Sequence, residues 1–288
     1  MKDFKVLEKD NISYPNKLKQ IEEAPNELYV MGDEKLLNKT SIAIVGSRAC
    51  TEYGSFYATK FAKEISKAGV CVVSGLAIGI DTAAHNGAKS YKGKTIAVIG
   101  GGFNKIYPEE NIELFHEIIK LGGCIVSEYP PDNVPILKNF PKRNRIISGL
   151  SDGVLVVEAI HRSGSTVTAK YGKLQGKNIF CIPSNLGIST GVGTNKLIQH
   201  GAKLVISAKD ILDELGIQGE IQEEEQEKEI EVEDEFKEIY SVLGYKPLNI
   251  NNIVKKTNKS IEEVNQKLGL MEIYGYIKRL PGNEYARI

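Results

Sequence analysis

One short basic segment carries side chains suited to bind a nucleic acid. Residues 138–145 contain four cations and one aromatic ring, namely Lys138, Lys142, Arg143, Arg145 and Phe140. In an isolated loop, such cations are usually solvated and the ring fills the core. Beside a phosphate-binding crevice, cations instead follow the backbone of a single strand while an aromatic face stacks on a base. The segment therefore predicts a single-strand contact that includes Asn144, just before a helix expected at 145–150.

Two further segments are suited to bind phosphate. Gly46-Ser47-Arg48 follows an apolar run and precedes a helical pattern, and Ser163-Gly164-Ser165-Thr166 begins another. Small residues let a ligand approach the backbone, and the first N–H groups of a helix favour an anion. Glycine also serves tight turns for structural reasons alone, so either segment by itself is weak support. Several such segments on one sheet edge favour a phosphate site.

The same residues argue against a cofactor and against catalysis. The glycine after Gly46 is Gly54, so the Gly-x-Gly-x-x-Gly spacing of dinucleotide sites is absent from the sequence, as is a Walker loop. Asp81 and His85 are one helical turn apart and could form an acid–base pair. Capping or arginine pairing by Asp81 and packing of His85 are simpler interpretations. With no Cys or His cluster at metal-ligand spacing, we expect no metal, no cofactor and no catalytic residue.

Six short apolar runs must position these segments. They occupy residues 41–45, 70–73, 94–99, 124–126, 154–157 and 178–182, and helical patterns lie between them. Runs that are apolar on both faces are typical of a parallel sheet with helices on each side. Ligands of such sheets bind outside the carboxyl ends of the strands. The sequence predicts a Rossmann-like, doubly wound, mostly parallel α/β domain over residues 41–216, with the polar segments along one edge.

The flanking regions differ in character. Residues 1–40 are expected to form an N-terminal lead-in segment with at most one added strand. Residues 217–233 are predicted to be an acidic linker, because ten acids and one base fall between residues 220 and 235. Their charge leaves the rest of the chain basic, although the whole chain is neutral. Residues 234–288 predict a winged helix, since three helical patterns precede a hairpin around Pro281-Gly282-Asn283. With no apolar run long enough to span a bilayer, we expect a cytoplasmic protein without membrane insertion.

Together these motifs resemble the DNA processing protein A family. The resemblance extends from Tyr14-Pro15 to Gly201-Ala202 and includes Val45-Gly46-Ser47-Arg48, Ser74-Gly75-Leu76-Ala77, Tyr107-Pro108, Phe140-Pro141, Arg143-Asn144-Arg145 and Ser163-Gly164-Ser165. It implies a non-enzymatic homodimer that binds single-stranded DNA, protects incoming DNA and helps load the RecA recombinase during natural transformation. Carried over, it assigns phosphate contacts to residues 46–48, Arg143, Arg145 and residues 163–166, with Phe140 stacked on a base. The chain departs from the family where Pro183-Ser184 replaces the usual Pro-Gly.

Two other functions remain open from the residues alone. A Rossmann-like nucleoside monophosphate phosphoribohydrolase would also bind phosphate at a late glycine-rich turn. Its Pro-Gly-Gly-x-Gly-Thr-x-x-Glu motif is absent, because Val167-Thr168-Ala169 follows Thr166 without a carboxylate. The winged helix could instead bind duplex DNA, but Glu262 and Glu263 in its third helix are unfavourable beside phosphates.

Overall fold

The computed structural model describes residues 4–161, 163–217, 232–244 and 247–287 of the chain. Its contacts divide the chain into two units, residues 1–221 and 222–288. Most of the predicted acidic linker lies outside the described residues. No helix in the described ranges is both long and apolar enough to span a membrane.

The first unit is built on one sheet. Its strands are β1 (Lys5–Glu8), β2 (Glu27–Gly32), β3 (Ser41–Val45), β4 (Cys71–Ser74), β5 (Thr95–Ile99), β6 (Cys124–Ser127), β7 (Gly153–Val156), β8 (Asn178–Cys181) and β9 (Lys203–Leu204). The spatial order is β1-β2-β6-β5-β4-β3-β7-β8-β9. Strands β3 to β9 are parallel, and β1 and β2 are antiparallel at one edge. The predicted mostly parallel sheet is confirmed.

Helices cover both faces of this sheet. They are α1 (Asn16–Lys19), α2 (Glu52–Lys67), α3 (Ile80–Ala88), α4 (Ile112–Lys120), α5 (Asn139–Gly149), α6 (Gly164–Leu174), α7 (Val192–Gln199) and α8 (Ala208–Glu214). Successive side chains of a strand point to opposite faces. Accordingly, Ala43 and Val45 of β3 pack in one core with α1, α5 and α6. Ile42 and Ile44 pack in a second core with α2, α3 and α8. The doubly wound architecture follows from these two buried layers.

The predicted lead-in segment is part of the sheet. Strands β1 and β2 both pair at its antiparallel edge, so two strands occur where at most one was expected. Leu7, Tyr14 and Leu28 are buried in the same core as β3, and the Tyr14 hydroxyl donates to the Pro25 carbonyl at 2.7 Å. The sequence signal was weak because Leu7 is the one buried residue of β1.

The basic segment belongs to a helix instead of preceding one. Helix α5 begins at Asn139, not at residue 145. Pro141 lies in its first turn, where a residue without an N–H loses no intrahelical hydrogen bond. The expectation that the helix starts after this proline was therefore wrong. Because α5 includes residues 139–145, helical register decides which of its cations face the solvent.

The second unit is a small winged helix, as predicted. It contains α9 (Asp234–Val242), β10 (Leu248–Asn249), α10 (Ile250–Thr257), α11 (Ile261–Ile273), β11 (Ile277–Leu280) and β12 (Glu284–Arg287). The strands form an antiparallel sheet in the order β10-β12-β11. Phe236, Ile253, Leu268 and Met271 are fully buried in its core. Ser260 caps α11 by accepting a hydrogen bond from the Glu263 N–H at 3.1 Å.

Candidate nucleic-acid interface

The candidate site lies where the strand order of the sheet reverses. From β3 the chain adds β4, β5 and β6 on one side, and then returns to add β7 and β8 on the other. Strands β3 and β7 are therefore parallel neighbours whose carboxyl ends open a crevice, the usual ligand position of an open α/β sheet. Gly46-Ser47-Arg48 follows β3, and Glu158 follows β7.

An internal carboxylate occupies the start of α2. Glu158 is 5% exposed and accepts hydrogen bonds from the Thr51 N–H at 2.9 Å and from the Thr51 hydroxyl at 2.5 Å. A β-carbon at Gly54 would lie 2.4 Å from the Glu158 carboxyl carbon, so a larger residue there would displace this carboxylate. Since an anion already satisfies this helix start, α2 does not offer it to a phosphate.

The segment after β3 contributes one exposed cation. A β-carbon at Gly46 would lie 2.5 Å from the Ile80 side chain, so this glycine serves packing against α3. Ser47 is buried, and its carbonyl accepts from the Ile80 N–H at 3.2 Å. Arg48 is exposed. Of these three residues, all predicted to contact phosphate, Arg48 is therefore the one whose side chain is accessible to a ligand.

Arg48 belongs to a group that we call the aromatic surface, comprising the exposed residues Arg48, Tyr107 and Lys138 and the half-buried Phe140. The Arg48 guanidinium carbon lies 5.6 Å from the centre of the Phe140 ring, within cation–π range. The Tyr107 and Phe140 ring centres are 5.5 Å apart. Phe140 is half-buried, and a β-carbon at Gly100 would lie 3.1 Å from it. One side of the ring thus rests on the Gly100 backbone.

Hydroxyls cap the starts of both α2 and α6, but among the described residues no carboxylate accepts a hydrogen bond at the start of α6. The Ser163 hydroxyl accepts from the Thr166 N–H at 3.4 Å and lies 2.7 Å from the Ser165 hydroxyl. Gly164 is exposed, and a β-carbon there would meet nothing within 4 Å. An open helix start with neutral hydroxyls suits a phosphate.

Asn144 connects the aromatic surface to this helix start. Its side-chain amide donates to the Gly164 carbonyl at 3.1 Å. Asn144 follows Phe140 by four residues on α5, so the two lie on one helix face with β-carbons about 5–6 Å apart. The ring, Arg48 and the start of α6 are therefore neighbours, while Asn144 itself is buried and binds protein.

Arg143, predicted to contact phosphate, is an internal residue. Its side chain is 4% exposed and donates to the carbonyls of Gly75, directly after β4, and Val98, the last residue but one of β5. The Asp81 carboxylate accepts from the Gly75 N–H at 3.1 Å. Burial raises the pKa of Asp81, and the Arg143 charge most strongly opposes that rise. Burial lowers the pKa of Arg143 to about 10, which leaves it protonated at neutral pH.

Arg145, also predicted to contact phosphate, has an internal carboxylate partner. Its side chain is 3% exposed and donates to Glu128 at 2.5 Å. The ammonium of Lys142, which is half exposed, lies 3.4 Å from the same carboxylate. The predictions for Arg143 and Arg145 misplaced these cations, because α5 turns both of them towards protein acceptors.

The pair of Asp81 and His85 does not form an acid–base site. His85 is fully buried, and its Nδ1 lies 2.8 Å from the Thr95 hydroxyl, which donates to the Val72 carbonyl at 2.8 Å. Because that hydroxyl has one proton, Nδ1–H must be the donor to it. Burial lowers the pKa of His85 to about 3, so the imidazole is neutral at physiological pH.

Two site residues were missed at the sequence level. Tyr107, which is exposed, could have been found because it follows the glycines at the carboxyl end of β5. Glu158 gave no local signal of its role, since its partner Thr51 is 107 residues away in sequence.

Comparisons with known proteins identify the family of the chain. Residues 5–216 match the family described as DNA recombination-mediator protein A, and residues 223–283 match the DprA winged helix domain. Protein Smf of Escherichia coli (strain K12) is 36% identical over 289 residues, which cover 98% of this chain and 77% of that protein. DNA processing protein DprA of Bacillus subtilis (strain 168) is 46% identical over 203 residues, covering 70% of this chain and 68% of that protein.

Solved structures show the same relationship. DNA processing protein A from Streptococcus pneumoniae superimposes with a TM-score of 0.68 at 42% identity, covering 74% of each chain. A structure that addresses the unique single-stranded DNA binding mode of DNA processing protein A from Helicobacter pylori gives a TM-score of 0.67 at 33% identity, covering 74% of this chain and 95% of that one. On the family match and these identities, the chain belongs to the DNA recombination-mediator protein A (DprA/Smf) family.

Proposed function

We propose that this protein binds single-stranded DNA along the carboxyl edge of its parallel sheet. The observation that carries the proposal is the aromatic surface, where an exposed arginine lies over a ring that the Gly100 backbone supports from one side. Single strands bind where cations follow phosphates and an aromatic face stacks on a base. On binding, Arg48 would leave the ring face to a base and, with Lys138, meet phosphates.

The start of α6 would hold a neighbouring phosphate. Ser163 and Ser165 provide hydroxyls, and Gly164 leaves the first turn open. Arg143 and Arg145 take a different role from the one first predicted, since they position α5 from inside and neutralise Asp81 and Glu128. The site thus combines two exposed cations, one ring and one helix start. We expect such a site to bind single strands with modest affinity that falls as salt is added.

The same surface favours single strands over duplex. A stacking ring needs the open face of a base. Inside a duplex, both faces of a base are covered by the neighbouring base pairs. The structure of the Helicobacter pylori relative, which concerns its single-stranded DNA binding mode, supports this assignment.

We further infer a role in DNA processing during natural transformation, with protection of incoming DNA and loading of the RecA recombinase. The names DNA processing protein and DNA recombination-mediator protein support the first part of this inference. A homodimer in the cytoplasm is the expected working form. Leu204 and Ile206, exposed in and just after the edge strand β9, provide apolar area for a subunit contact.

A phosphoribohydrolase remains the alternative, and two observations weaken it. The residues directly after Thr166 in α6 carry no carboxylate, and Glu158 is engaged with Thr51. Incubation with nucleoside monophosphates should release no free base. Release of base at a rate that depends on Glu158 would favour the enzyme.

The deciding experiment is a fluorescence-anisotropy titration of the full chain against a labelled single strand and the matching blunt duplex at one salt concentration. We expect tighter binding to the single strand. Equal affinities would instead favour the winged helix as the main DNA contact.

A further inference from the structure

Two apolar loop tips flank the proposed DNA surface. The first tip, residues 134–137, follows β6 and carries Val134, Ile136 and Leu137, with Leu137 87% exposed. The second tip, residues 185–188, follows β8 and carries Leu186 at 92% exposure. Apolar side chains this exposed, and grouped on one sheet edge, mark a contact surface.

The first tip has a fixed backbone. The Gly102 N–H donates to the Asn133 carbonyl at 2.8 Å, and the Asn139 N–H donates to the Ile136 carbonyl at 2.9 Å. A β-carbon at Gly101 would lie 2.9 Å from Pro135, so the glycines after β5 make room for this loop. Leu137 is thus held outward, directly before Lys138 and the start of α5.

The second tip is a tight turn. The Ile188 N–H donates to the Asn185 carbonyl at 3.4 Å, and Gly187 has a φ of +87°, as the third residue of a type II turn requires. This turn places Leu186 at its apex. Nearby, the Asn195 amide donates to the Ser184 carbonyl at 2.8 Å, and the ammonium of the next residue, Lys196, lies 3.4 Å from His161 Nδ1 in the loop after β7.

The two tips lie at opposite ends of one line of strand ends. Between β6 and β8 the sheet contains β5, β4, β3 and β7, whose carboxyl ends carry the aromatic surface and the start of α6. The first tip packs on the glycines that follow β5, and four strand spacings separate β5 from β8, or about 19 Å at ~4.8 Å each. The Ala159 N–H donates to the Thr190 carbonyl at 2.6 Å, which joins the loops after β7 and β8.

We propose that a single DNA strand crosses this whole edge, with the Leu137 tip packed on a base at one end and the Leu186 tip packed on a base at the other. This inference rests on the proposed function and defines the length and ends of its site. The occupant follows from continuity with the aromatic surface and from two lysines on the same edge, Lys138 next to the first tip and Lys196 by the loop after β7. The leucines would cover base faces by apolar contact, without the stacking that an aromatic ring gives, and Lys138 and Lys196 would meet phosphates of the strand.

The test is a length series of oligothymidylates from about 4 to 16 nucleotides, the range of known single-strand sites, titrated with the full chain. For the parent, affinity should rise until the strand reaches both tips. Leu137→Ser and Leu186→Ser should each weaken binding of the longest strand by about fivefold, the lower end for one stacked base. Each should also stop gaining affinity at a shorter length than the parent.

Leu174→Ser is the matched control. Leu174 is 73% exposed at the end of α6, which lies at the amino edge of the sheet, so this variant should bind like the parent at every length. None of the three leucines is buried, so folding should be unaffected.

The outcomes separate this inference from the function beneath it. If the parent binds no single strand, the proposed function fails. If the parent binds and both tip variants match it at every length, the function stands and the two-ended path is wrong. An effect from one tip alone would also overturn the proposal that the strand contacts both tips. A tip variant that dissociates subunits in sedimentation, with unchanged DNA affinity, would assign that tip to a protein contact and overturn the proposal.

Discussion

Arg48 and Arg143 are close enough for their charges to interact, yet they occupy opposite environments. Arg143 is buried and donates to two backbone carbonyls in a network with Asp81. Arg48 is exposed, with the Phe140 ring 5.6 Å away. Among the described residues, no carboxylate forms an ion pair with Arg48. A buried cation with fixed acceptors can hold strand ends in place, whereas an exposed one is free to meet a ligand.

The starts of α2 and α6 differ in the same way. Glu158 fills the first, and the Ser163 hydroxyl caps the second. The sequence shows a glycine-containing segment before each helix, so the two look equivalent until the acceptor is known. In both comparisons, a cation or helix start can bind an external anion only where no acceptor of the protein itself already occupies it.

The largest expected effect is the loss of stability when the buried arginine, Arg143, is replaced. Arg143→Met should lower the free energy of unfolding by about 3–5 kcal/mol, because it leaves Asp81 buried without its compensating charge. Urea denaturation at pH 7, followed by circular dichroism, measures this loss. Arg48→Met, the exposed counterpart, should change stability by less than about 0.5 kcal/mol. Similar losses from the two variants would contradict the assigned environments.

Sequence reasoning identified polar segments that the structure places at the strand ends, but it could not decide which of their side chains face outwards. The strands of the parallel sheet were predictable because they are apolar on both faces, and the polar segments because they follow strand ends. The role of Arg143 was not predictable. Pro141 suggested that the helix began after residue 141, so the helical positions of Arg143 and Arg145 in α5 could not be assigned. Likewise, Leu7 alone among the residues of β1 is buried, which left that edge strand without a readable pattern.

The buried network should also make stability depend on pH. His85 has a pKa of about 3 when folded, below its ordinary value of 6.5, so the unfolded chain binds the proton more tightly. Its contribution is therefore complete above pH 6.5 and is lost as the pH falls towards 3. Between pH 7 and pH 5 the loss should be about 2 kcal/mol.

His85→Asn isolates this contribution, because the asparagine amide can donate to Thr95 but does not titrate. The variant should show a shallower fall of unfolding free energy over that pH range than the parent. Carboxylates contribute equally to both proteins, so the difference between the two slopes is the measurement. Parallel slopes would mean that His85 is not buried in its neutral form.

On the exposed side, Phe140→Ala should weaken single-strand binding by about 1–3 kcal/mol, the usual range for one stacked base. Phe140→Leu tests the aromatic face itself, since leucine still packs on Gly100 but cannot stack in the same way. Phe140→Tyr should bind like the parent. Circular dichroism must show each variant folded. If the folded alanine variant binds as tightly as the parent, Phe140 only fills space.

The smallest effect is the most direct test of the comparison, because salt dependence counts the cations that meet phosphates. Each contact on a single strand contributes about −0.7 to the slope of log affinity against log salt. If all four of Arg48, Lys138, Arg143 and Arg145 met phosphates, the slope would be about −3. With Arg143 and Arg145 buried, Arg48 and Lys138 should give about −1.4 on a short strand, and Lys196 should bring the slope to about −2.1 on a strand long enough to reach it. Arg48→Ala and Lys138→Ala should each flatten the slope by about 0.7, whereas Phe140→Ala should leave it unchanged. A parent slope near −3 would show that the buried arginines turn outwards when DNA binds.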